Sequence, residues 1–284
     1  MIIVRLNGGL GNQMFQYAMG RATSVRNNLQ LKLDIVTGIA PGDTTRPYAL
    51  GHFHIVEDIA SREEIESLKY PLGFFSRIMR FIRIKILRQF HEGFNPQALH
   101  IADKTYLDGF WQSWKYFDDV ADIIRKDFTL KNPLSDRAKK IVDVMQQVNA
   151  VSVHVRRGDY VANPTTHAYH GTCSPEYYQQ AIAHMRAHSA HPVFFVFSDD
   201  IAWVKEHIPF GNDKVFYVSD YKLLDYEELM LMASCKHHII ANSSFSWWGA
   251  WLNRNEEKMV IAPKKWFAKG NDPKDLIPPS WIRM

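Results

Sequence analysis

Residues 150–160 read Ala-Val-Ser-Val-His-Val-Arg-Arg-Gly-Asp-Tyr, an apolar run that ends abruptly in charged residues. The run up to Val155 carries no formal charge and is rich in small and β-branched residues, which is typical of a central strand covered on both faces. Such strands belong to parallel sheets, and these sheets bind ligands outside the carboxyl ends of their strands. The stretch therefore predicts an α/β fold with a functional site directly after Val155.

The charged residues that follow this strand are Arg156, Arg157 and Asp159, with Gly158 allowing a tight turn. A guanidinium group is always charged and presents a planar fork of donors, so it suits a phosphate or diphosphate. An ordinary surface ion pair between Arg157 and Asp159 explains the same residues without a ligand, since most such pairs contribute little energy. The rest of the chain has to decide between these two interpretations.

Length and composition bound the class of protein. The chain has 284 residues, of which 46% are hydrophobic and 23% charged, enough for one large domain or two of moderate size. Cys173 and Cys235 lie far apart, which argues against a disulfide framework and fits a reducing compartment. The first predicted strand begins at Ile2, which leaves no room for a signal peptide, and no apolar run approaches the ~20 residues of a membrane span. We therefore expect a cytoplasmic protein.

The segment 74–91, FFSRIMRFIRIKILRQFH, contains five basic residues and no acidic residue. The chain's formal net charge is +4, so the remainder carries −1, which excludes a generally basic surface that coats nucleic acid. Phe75, Met79, Ile82, Ile86 and Phe90 recur at helical spacing and predict an amphipathic helix. This helix either packs on its own domain or lies peripherally on anionic lipid at the cytoplasmic face of the inner membrane.

The chain opens with a predicted strand at 2–6, the loop Asn7-Gly8-Gly9-Leu10-Gly11-Asn12-Gln13 and a helix to about residue 28. Glycines let a backbone approach a phosphate, and the amino terminus of a helix attracts its negative charge. A second strand ends in Asp34, roughly where a dinucleotide fold places its ribose-binding acid. An NAD-dependent oxidoreductase is thus one interpretation, although Met14 stands where that fingerprint needs a small residue.

From 150 to 265 predicted strands and helices alternate, which indicates a parallel, doubly wound second domain. We divide the chain into an N-terminal domain, 1–146, with the glycine loop and the basic segment, and a C-terminal ligand-binding domain, 147–284. A loop is predicted over 161–173, before a helix that opens at Ser174-Pro175. Two later strands also end in polar residues, Ser198-Asp199-Asp200 and Asn242-Ser243-Ser244. The two serines can cap a helix whose free N–H groups bind phosphate, so the strand ends together suit a nucleotide diphosphate.

Four motifs in series resemble the bacterial members of the α-1,2-fucosyltransferases, glycosyltransferase family 11. They are NGGLGNQMFQYA at 7–18, HVRRGDY at 154–160, VFSDD at 196–200 and ANSSFSWWGAWL at 241–252. The resemblance implies a GT-B fold, with two Rossmann-like, doubly wound domains that face a central cleft. It also implies inverting transfer of L-fucose from GDP-β-L-fucose to the 2-hydroxyl of a terminal galactose in a glycan, in surface polysaccharide (O-antigen) synthesis. Neither a metal nor another cofactor is implied.

The same resemblance assigns a set of donor-binding residues. They are Gly11, Asn12, His154, Arg156, Asp199, Asp200, Ser243, Ser244 and Phe245. Arg156 is implied to hold the β-phosphate, and one aspartate of the Asp199–Asp200 pair is implied to meet guanine. The serines and Phe245 are implied to hold the phosphate and the guanine base. Gly11 and Asn12 are implied to close over the diphosphate from the first domain.

Displacing GDP requires stabilised diphosphate charge and a base that takes the proton of the acceptor hydroxyl. Asp159 is the candidate base because it lies three residues from Arg156 on the same loop. An ion pair that merely orients an arginine explains Asp159 equally well, and Glu176, His167 and His170 are alternative bases.

Three further functions remain open from the sequence. They are an NAD-dependent oxidoreductase, a fucosyltransferase of other regiochemistry, and a non-catalytic module that binds glycan or membrane. The chain contains no Asp-x-Asp tripeptide, which argues against a metal-dependent transferase. His184 and His188 have the spacing of a zinc helix, but no third ligand supports a metal site.

Overall fold

A computed structural model of the chain describes residues 1–37, 47–69, 85–89, 93–270 and 272–284, with the backbone alone described at 85–89 and at Asp159. The chain divides into two compact units. The first comprises Met1–Asn132 and Pro273–Leu276, and the second comprises Pro133–Asp272 and Ile277–Met284. This division differs from the predicted boundary at 146/147, because the helix Asp136–Gln146 packs into a core cluster of the second unit.

The first unit is built on a four-stranded parallel sheet with the order β2-β1-β4-β3. Its strands are β1 (Ile2–Arg5), β2 (Leu31–Asp34), β3 (Lys85–Gln89) and β4 (Thr105–Gly109). Its described helices are α1 (Leu10–Asn27), α2 (Arg62–Lys69) and α3 (Ala121–Asp127), with 3-10 turns at Leu50–His52, Pro96–Leu99, Trp114–Tyr116 and Asp118–Val120. The predicted strand, glycine loop and helix at the start of the chain are confirmed.

The predicted helix over 74–91 is wrong for Lys85–Gln89, which form β3 and pair in parallel with β4. In the sequence, Ile82, Ile84 and Ile86 alternate with basic residues, and β-branched residues at a period of two favour a strand. The remainder of the predicted helix, 74–84 and 90–91, lies outside the described residues. Within the described ranges, no helix is both long enough and apolar enough to cross a bilayer.

The glycine loop is held by side chains whose role the sequence did not reveal. Gly8 has a φ of +73°, and a Cβ there would lie 2.8 Å from Asn12 Nδ2, so the position requires glycine. Gln13 Nε2 donates to the main-chain oxygen of Gly8 at 2.8 Å, and Gln16 Nε2 donates to Asn7 Oδ1 at 2.8 Å. The two glutamines therefore fix the shape of the loop at the start of α1.

Asp34 is buried and engaged inside the first unit. Its Oδ1 accepts hydrogen bonds from the main-chain N–H groups of Val36 and Thr37, each at 2.9 Å, and its Oδ2 accepts one from the Tyr106 hydroxyl. Burial alone would raise the pKa of Asp34, but hydrogen bonds from Thr37 and Tyr106 and the charge of Lys69 hold it below its usual value. A carboxylate committed in this way is not placed to bind a ribose, which removes the main support for the oxidoreductase interpretation.

The second unit is built on a six-stranded parallel sheet with the order β10-β9-β8-β5-β6-β7. Its strands are β5 (Asn149–Val155), β6 (Pro192–Ser198), β7 (Val215–Tyr217), β8 (His237–Ile239), β9 (Val260–Ala262) and β10 (Ile282–Arg283). Numbered within the unit, this is the 3-2-1-4-5-6 order of a doubly wound nucleotide-binding sheet. The order reverses between β5 and β8, so β5 occupies the central position that its sequence predicts.

Helices cover both faces of this sheet. They are α4 (Asp136–Gln146), α5 (Gly158–Ala162), α6 (Pro164–His170), α7 (Pro175–His188), α8 (Ile201–His207), α9 (Asp225–Ser234) and α10 (Ser244–Leu252), with a 3-10 turn at Val218–Tyr221. Val151 and Val153 of β5 pack in one core cluster with residues of α7. Ala150 packs in a second cluster with residues of α4 and α9. The uncharged run in β5 is thus explained by burial on both faces.

The loop predicted over 161–173 is largely helical, since it contains the end of α5 and all of α6. Asn163 caps α6 by accepting hydrogen bonds from the N–H groups of Thr165 at 2.9 Å and Thr166 at 3.2 Å, and Pro164 occupies the first helical position. This Asn-Pro start signal is visible in the sequence. The helix is only seven residues long, however, and so offers too few turns for a hydrophobic period to be recognised.

Candidate functional site

The predicted donor-binding residues of the second unit follow three strands of its sheet. Arg156 comes directly after β5, Asp199 directly after β6, and Ser243 four residues after β8. In a parallel sheet the carboxyl ends of the strands share one edge, and ligands bind where the strand order reverses. These residues therefore lie at the expected ligand-binding edge, on both sides of the reversal between β5 and β8.

Arg156 is held by Asp199. Its Nη1 lies 3.0 Å from Asp199 Oδ2, and the two side chains are 27% and 25% exposed. An ion pair this open to solvent adds little to the stability of the fold, so its main effect is to orient the guanidinium. The same guanidinium lies 5.4 Å from the centroid of the Tyr160 ring. The edge of the sheet thus carries an oriented positive charge with an aromatic ring beside it.

Arg157 is held by neighbouring side chains of the second unit. Its Nε lies 3.3 Å from Asp200 Oδ2, its guanidinium lies 3.8 Å from the centroid of the Trp203 ring, and its main-chain N–H donates to Asp199 Oδ1 at 2.8 Å. Asp200 also caps α8 by accepting a hydrogen bond from the Trp203 N–H at 3.2 Å. The described partner of Arg157 is therefore Asp200, and the predicted pairing with Asp159 lies outside the described residues because the Asp159 side chain is not described.

Gly158 gives the Asp199 carboxylate the room it needs. A Cβ at this position would lie 2.6 Å from Asp199 Oδ2, the same oxygen that contacts Arg156. We expect Gly158→Ala to displace this carboxylate and to lower the free energy of unfolding by about 1–3 kcal/mol, as overpacking does elsewhere. Thermal unfolding followed by circular dichroism measures the effect.

Gly93→Ala is the matched control for this substitution. A Cβ on Gly93 would lie 3.6 Å from Asp275 Oδ2, an ordinary contact with a carboxylate oxygen. Its melting temperature should therefore stay close to that of the unchanged protein. Equal melting temperatures for both variants would show that Asp199 moves aside without cost.

His154 is buried at the end of β5. Burial, together with the charge of Arg156, lowers the pKa of its imidazole to about 3, so the ring is neutral at physiological pH. Its Nδ1 is buried and has no hydrogen-bond partner among the described residues. The ring centroid lies 5.7 Å from that of Phe245. Because buried polar atoms are usually paired, an orphan nitrogen beside an aromatic ring indicates a place for a ligand atom.

The start of α10 differs from the capped helix that the sequence predicts. Ser243 occupies the N-cap position with an extended backbone, but its side chain makes no capping hydrogen bond. The first turn of α10 contains no acidic residue. The N–H groups of a first turn have no partner within the helix, so this terminus can donate to an anion. Ser243, Ser244 and Phe245 lie together at this terminus, as predicted.

Asn242, which the sequence places at a strand end, has a structural role that the sequence did not reveal. Its Nδ2 donates to the main-chain oxygens of His170 at 2.9 Å and Trp266 at 3.1 Å, and its main-chain oxygen accepts from the Tyr160 hydroxyl at 3.5 Å. A buried amide of this kind fixes the loops around the site. The signal in the sequence is a single asparagine that follows an apolar strand. The role of this strand end was assigned to the two serines that come next.

The alternative bases have other surroundings. His170 stacks on the Tyr160 ring with centroids 4.6 Å apart, and His167 Nδ1 lies 3.0 Å from the Tyr160 main-chain oxygen. Glu176 is exposed in the first turn of α7, where a hydrogen bond from Ser174 holds its pKa below the usual value. Asp159 lies in the first turn of α5, and its proposed role stays a prediction.

Gly11 and Asn12 belong to the first unit, where they lie in the first turn of α1. Asn12 Oδ1 accepts a hydrogen bond from Gln112 Nε2 at 2.9 Å. Their predicted contact with the diphosphate stays a prediction.

His184 and His188 stack on each other with ring centroids 4.1 Å apart. Among the residues that the structure describes, no group of three or more histidine, cysteine, aspartate or glutamate side chains is arranged to hold a metal ion.

The sequence is similar to known glycosyltransferases. The model of glycosyl transferase family 11 matches residues 90–284. The chain is 36% identical over 293 residues to an alpha-1,2-colitosyltransferase of Escherichia coli, with 100% of this chain and 99% of that protein covered. It is 33% identical over 303 residues to the O-antigen biosynthesis glycosyltransferase WbnK of Escherichia coli, with 98% and 99% covered. Identity to the galactoside alpha-(1,2)-fucosyltransferase 1 of Homo sapiens is 27% over 206 residues, which cover 68% of this chain and 56% of that protein.

The fold is similar to a solved structure. The crystal structure of NodZ alpha-1,6-fucosyltransferase soaked with GDP-fucose matches with a TM-score of 0.50 and 15% identity, covering 88% of this chain and 91% of that one. At this identity the likeness concerns the fold alone, and it confirms the predicted α/β class and GT-B type. Since the family model matches more than half of the residues and the bacterial relatives extend over nearly all of them, the chain belongs to glycosyl transferase family 11.

Proposed function

We propose that this enzyme transfers L-fucose from GDP-β-L-fucose to the 2-hydroxyl of a terminal galactose in a surface glycan, with inversion and without a metal. The observation that carries the proposal is the arrangement at the ligand-binding edge of the second unit. Arg156, the neutral His154 and the uncapped start of α10 follow strands on both sides of the point where the strand order reverses. A diphosphate requires hydrogen-bond donors of this kind, and a nucleobase requires an aromatic surface to pack against.

The names of the relatives support the linkage more strongly than the sugar. Both the colitosyltransferase of Escherichia coli and the human fucosyltransferase are described by an α-1,2 transfer. Their sugars differ, because colitose is fucose without its 3-hydroxyl. The relative named for O-antigen biosynthesis supports a role in surface polysaccharide synthesis. The donor sugar is therefore the part of the proposal that most needs a direct test.

The proposed reaction is a single displacement at the anomeric carbon of fucose. The acceptor oxygen forms the new bond to this carbon as the bond to the β-phosphate oxygen breaks, and GDP leaves with both electrons of that bond. Asp159 takes the proton of the acceptor hydroxyl. Arg156 and the N–H groups at the start of α10 stabilise the charge that grows on the departing diphosphate, so no general acid is required.

The test is an incubation of the purified protein with GDP-fucose or GDP-colitose and with lactose, N-acetyllactosamine or Galβ1-3GalNAc as acceptor. Analysis of the product linkage by NMR should show an α-1,2 bond. Transfer from GDP-colitose but not from GDP-fucose would contradict the proposed donor. A product with a bond other than α-1,2 would contradict the proposed linkage. Calorimetric titration with GDP and with NAD provides a separate test. A protein that binds NAD but not GDP would contradict transfer from any GDP-linked sugar.

We also expect turnover to be independent of divalent metal. The positive charge of Arg156 and the helix terminus supply the stabilisation that a metal ion gives in other transferases. The rate of fucose transfer should therefore change by less than about twofold in excess EDTA, since no metal-dependent step is lost. Loss of activity in EDTA that is restored by Mn²⁺ would contradict this site.

Cytoplasmic location and contact of the basic segment 74–91 with anionic lipid stay predictions. Sedimentation with vesicles tests the lipid contact. Vesicles that contain anionic lipid should retain the protein, vesicles of only neutral lipid should not, and salt should release it because an electrostatic contact is screened.

A further inference from the structure

Four aromatic side chains form one ring cluster beside the proposed base. Tyr160, Tyr169 and His170 lie in α5 and α6, which follow β5, and Phe267 follows β9. The ring centroids are 4.6 Å apart for Tyr160 and His170, 4.9 Å for Tyr169 and His170, and 5.1 Å for Tyr169 and Phe267. Because both segments follow the carboxyl ends of strands, the ring cluster lies at the ligand-binding edge of the second sheet.

Hydrogen bonds of the main chain hold the ring cluster in place. The main-chain oxygen of Tyr169 accepts from the N–H groups of Ala268 at 3.0 Å and Lys269 at 3.2 Å. The main-chain oxygen of the next residue, His170, accepts from Asn242 Nδ2 at 2.9 Å. Rings that are fixed before a ligand arrives lose little conformational freedom when it binds, so the ring cluster is preorganised for a contact.

The ring cluster continues outward from Arg156. The Arg156 guanidinium lies 5.4 Å from the Tyr160 centroid, His170 stacks on the Tyr160 ring at an angle of 15°, and Tyr169 meets His170 edge-on at 82°. Tyr160 and His170 are thus covered by their neighbours in this series, and Phe267 is buried. Tyr169 is the half-buried ring at the far end of the series from Arg156.

The proposed reaction brings the acceptor sugar against α5, because Asp159 has to reach the hydroxyl that attacks. The residue after this base is Tyr160, from which the ring cluster leads away in steps comparable in size to one sugar ring. A tyrosine combines an apolar ring with a polar hydroxyl, which suits a sugar that is apolar on one face and polar around its edge. The next sugar of the acceptor therefore has an aromatic side chain within reach.

We propose that Tyr169 forms the subsite for the second sugar of the acceptor, by stacking on the apolar face of the residue linked to the galactose. The inference rests on the proposed function, because it assumes that the galactose hydroxyl lies at Asp159. The stack is present before the reaction and unchanged in the transition state. Its loss should therefore raise KM for the acceptor and leave kcat nearly the same.

Initial rates with GDP-fucose and two kinds of acceptor test the inference. One is methyl β-galactoside, and the other is whichever of lactose, N-acetyllactosamine and Galβ1-3GalNAc reacts best. In the unchanged protein, KM for the disaccharide should be about 5- to 20-fold lower than KM for the monosaccharide, the scale of one aromatic stack. Tyr169→Leu keeps an apolar contact for Phe267 and should bring the two KM values together. Tyr169→Phe keeps the ring and should preserve the difference.

Tyr221→Leu is the matched control. Tyr221 is a tyrosine of the second unit with 41% of its surface exposed, and the proposed site does not use it. The same change of side chain there should leave both KM values within about twofold of normal. Circular dichroism and calorimetry with GDP show whether Tyr169→Leu is folded and still binds the nucleotide.

Saturation-transfer NMR on the unchanged protein with GDP bound gives a second test that needs no variant. Saturation should reach protons of both sugars of the disaccharide, because the second sugar contacts an aromatic ring of the protein. Saturation of the galactose alone would contradict the subsite.

The outcomes separate the two proposals. An unchanged protein that transfers fucose to no galactoside overturns the proposed function and the inference with it. Transfer with equal KM for both kinds of acceptor, or an undiminished difference in folded Tyr169→Leu, overturns the inference alone. An equal loss with both acceptors in Tyr169→Leu also overturns it, because the ring would then serve only to hold α6. Loss of the difference in Tyr169→Leu, with its retention in Tyr169→Phe, supports the subsite.

Discussion

Replacement of Arg156 by alanine is expected to lower kcat/KM for fucose transfer from GDP-fucose by about 10²- to 10⁴-fold, a loss of roughly 3–5 kcal/mol. The guanidinium stands at the carboxyl end of β5, where Asp199 orients it through a 3.0 Å contact. In the proposed reaction this guanidinium faces the diphosphate, whose charge grows as the bond to the sugar breaks, so its contribution should be larger in the transition state than in the bound donor. Initial rates over a range of GDP-fucose concentrations measure the loss, after circular dichroism has shown that the variant is folded.

The lysine variants of the two adjacent arginines provide the matched control. Arg156→Lys should recover little activity, because an ammonium on a flexible stem cannot reproduce two parallel hydrogen bonds. Arg157→Lys keeps a charge for Asp200 and loses the stacking on Trp203, so it should remain within about tenfold of the unchanged enzyme. Collapse of activity in Arg157→Lys with near-normal activity in Arg156→Lys would assign the phosphate to the other arginine.

Asp159→Asn is expected to lower kcat by about 10²- to 10⁴-fold while the affinity for GDP changes little. A base acts on the acceptor hydroxyl in the transition state, whereas the donor is held by other groups, so the two quantities should separate. Single-turnover rates give the chemical step, and calorimetry with GDP gives the affinity. The residue lies in the first turn of α5, three residues after Arg156.

Glu176→Gln is the control for this prediction. Glu176 is exposed at the start of α7 and receives a hydrogen bond from Ser174, a role typical of a helix terminus. Its removal should leave kcat within about threefold of normal, since neither the acceptor proton nor the diphosphate depends on it. Normal turnover in Asp159→Asn combined with loss in Glu176→Gln would move the base to α7.

Strands β5 and β6 of the second sheet could be predicted because their residues are selected by burial. β5 and β6 are uncharged, lie in the interior of the sheet and pack on both faces, so composition and length were sufficient to find them. The polar residues that follow them could be assigned to one edge by the geometry of parallel sheets alone.

Other features depended on competition between weak signals or on tertiary contacts. Ile82 and Ile86 fit a period of 3.6, whereas Ile82, Ile84 and Ile86 fit a period of two, and pairing with β4 selects the strand at Lys85–Gln89. The pairing of Arg156 with Asp199 and of Arg157 with Asp200 joins residues 43 positions apart, which no local pattern records.

The return of Pro273–Leu276 to the first unit has a consequence for synthesis on the ribosome. The Ser113 hydroxyl donates to the main-chain oxygen of Asp275 at 2.8 Å, and Lys115 forms an ion pair with the Asp275 carboxylate. Domains generally fold in the order in which they emerge. Here the first unit can begin to fold early, but the partner of Ser113 and Lys115 is translated only after the whole of 133–272. A nascent chain therefore carries its amino-terminal unit in an unfinished state throughout the synthesis of the second, and a premature stop before residue 275 removes a support from the part of the protein made first.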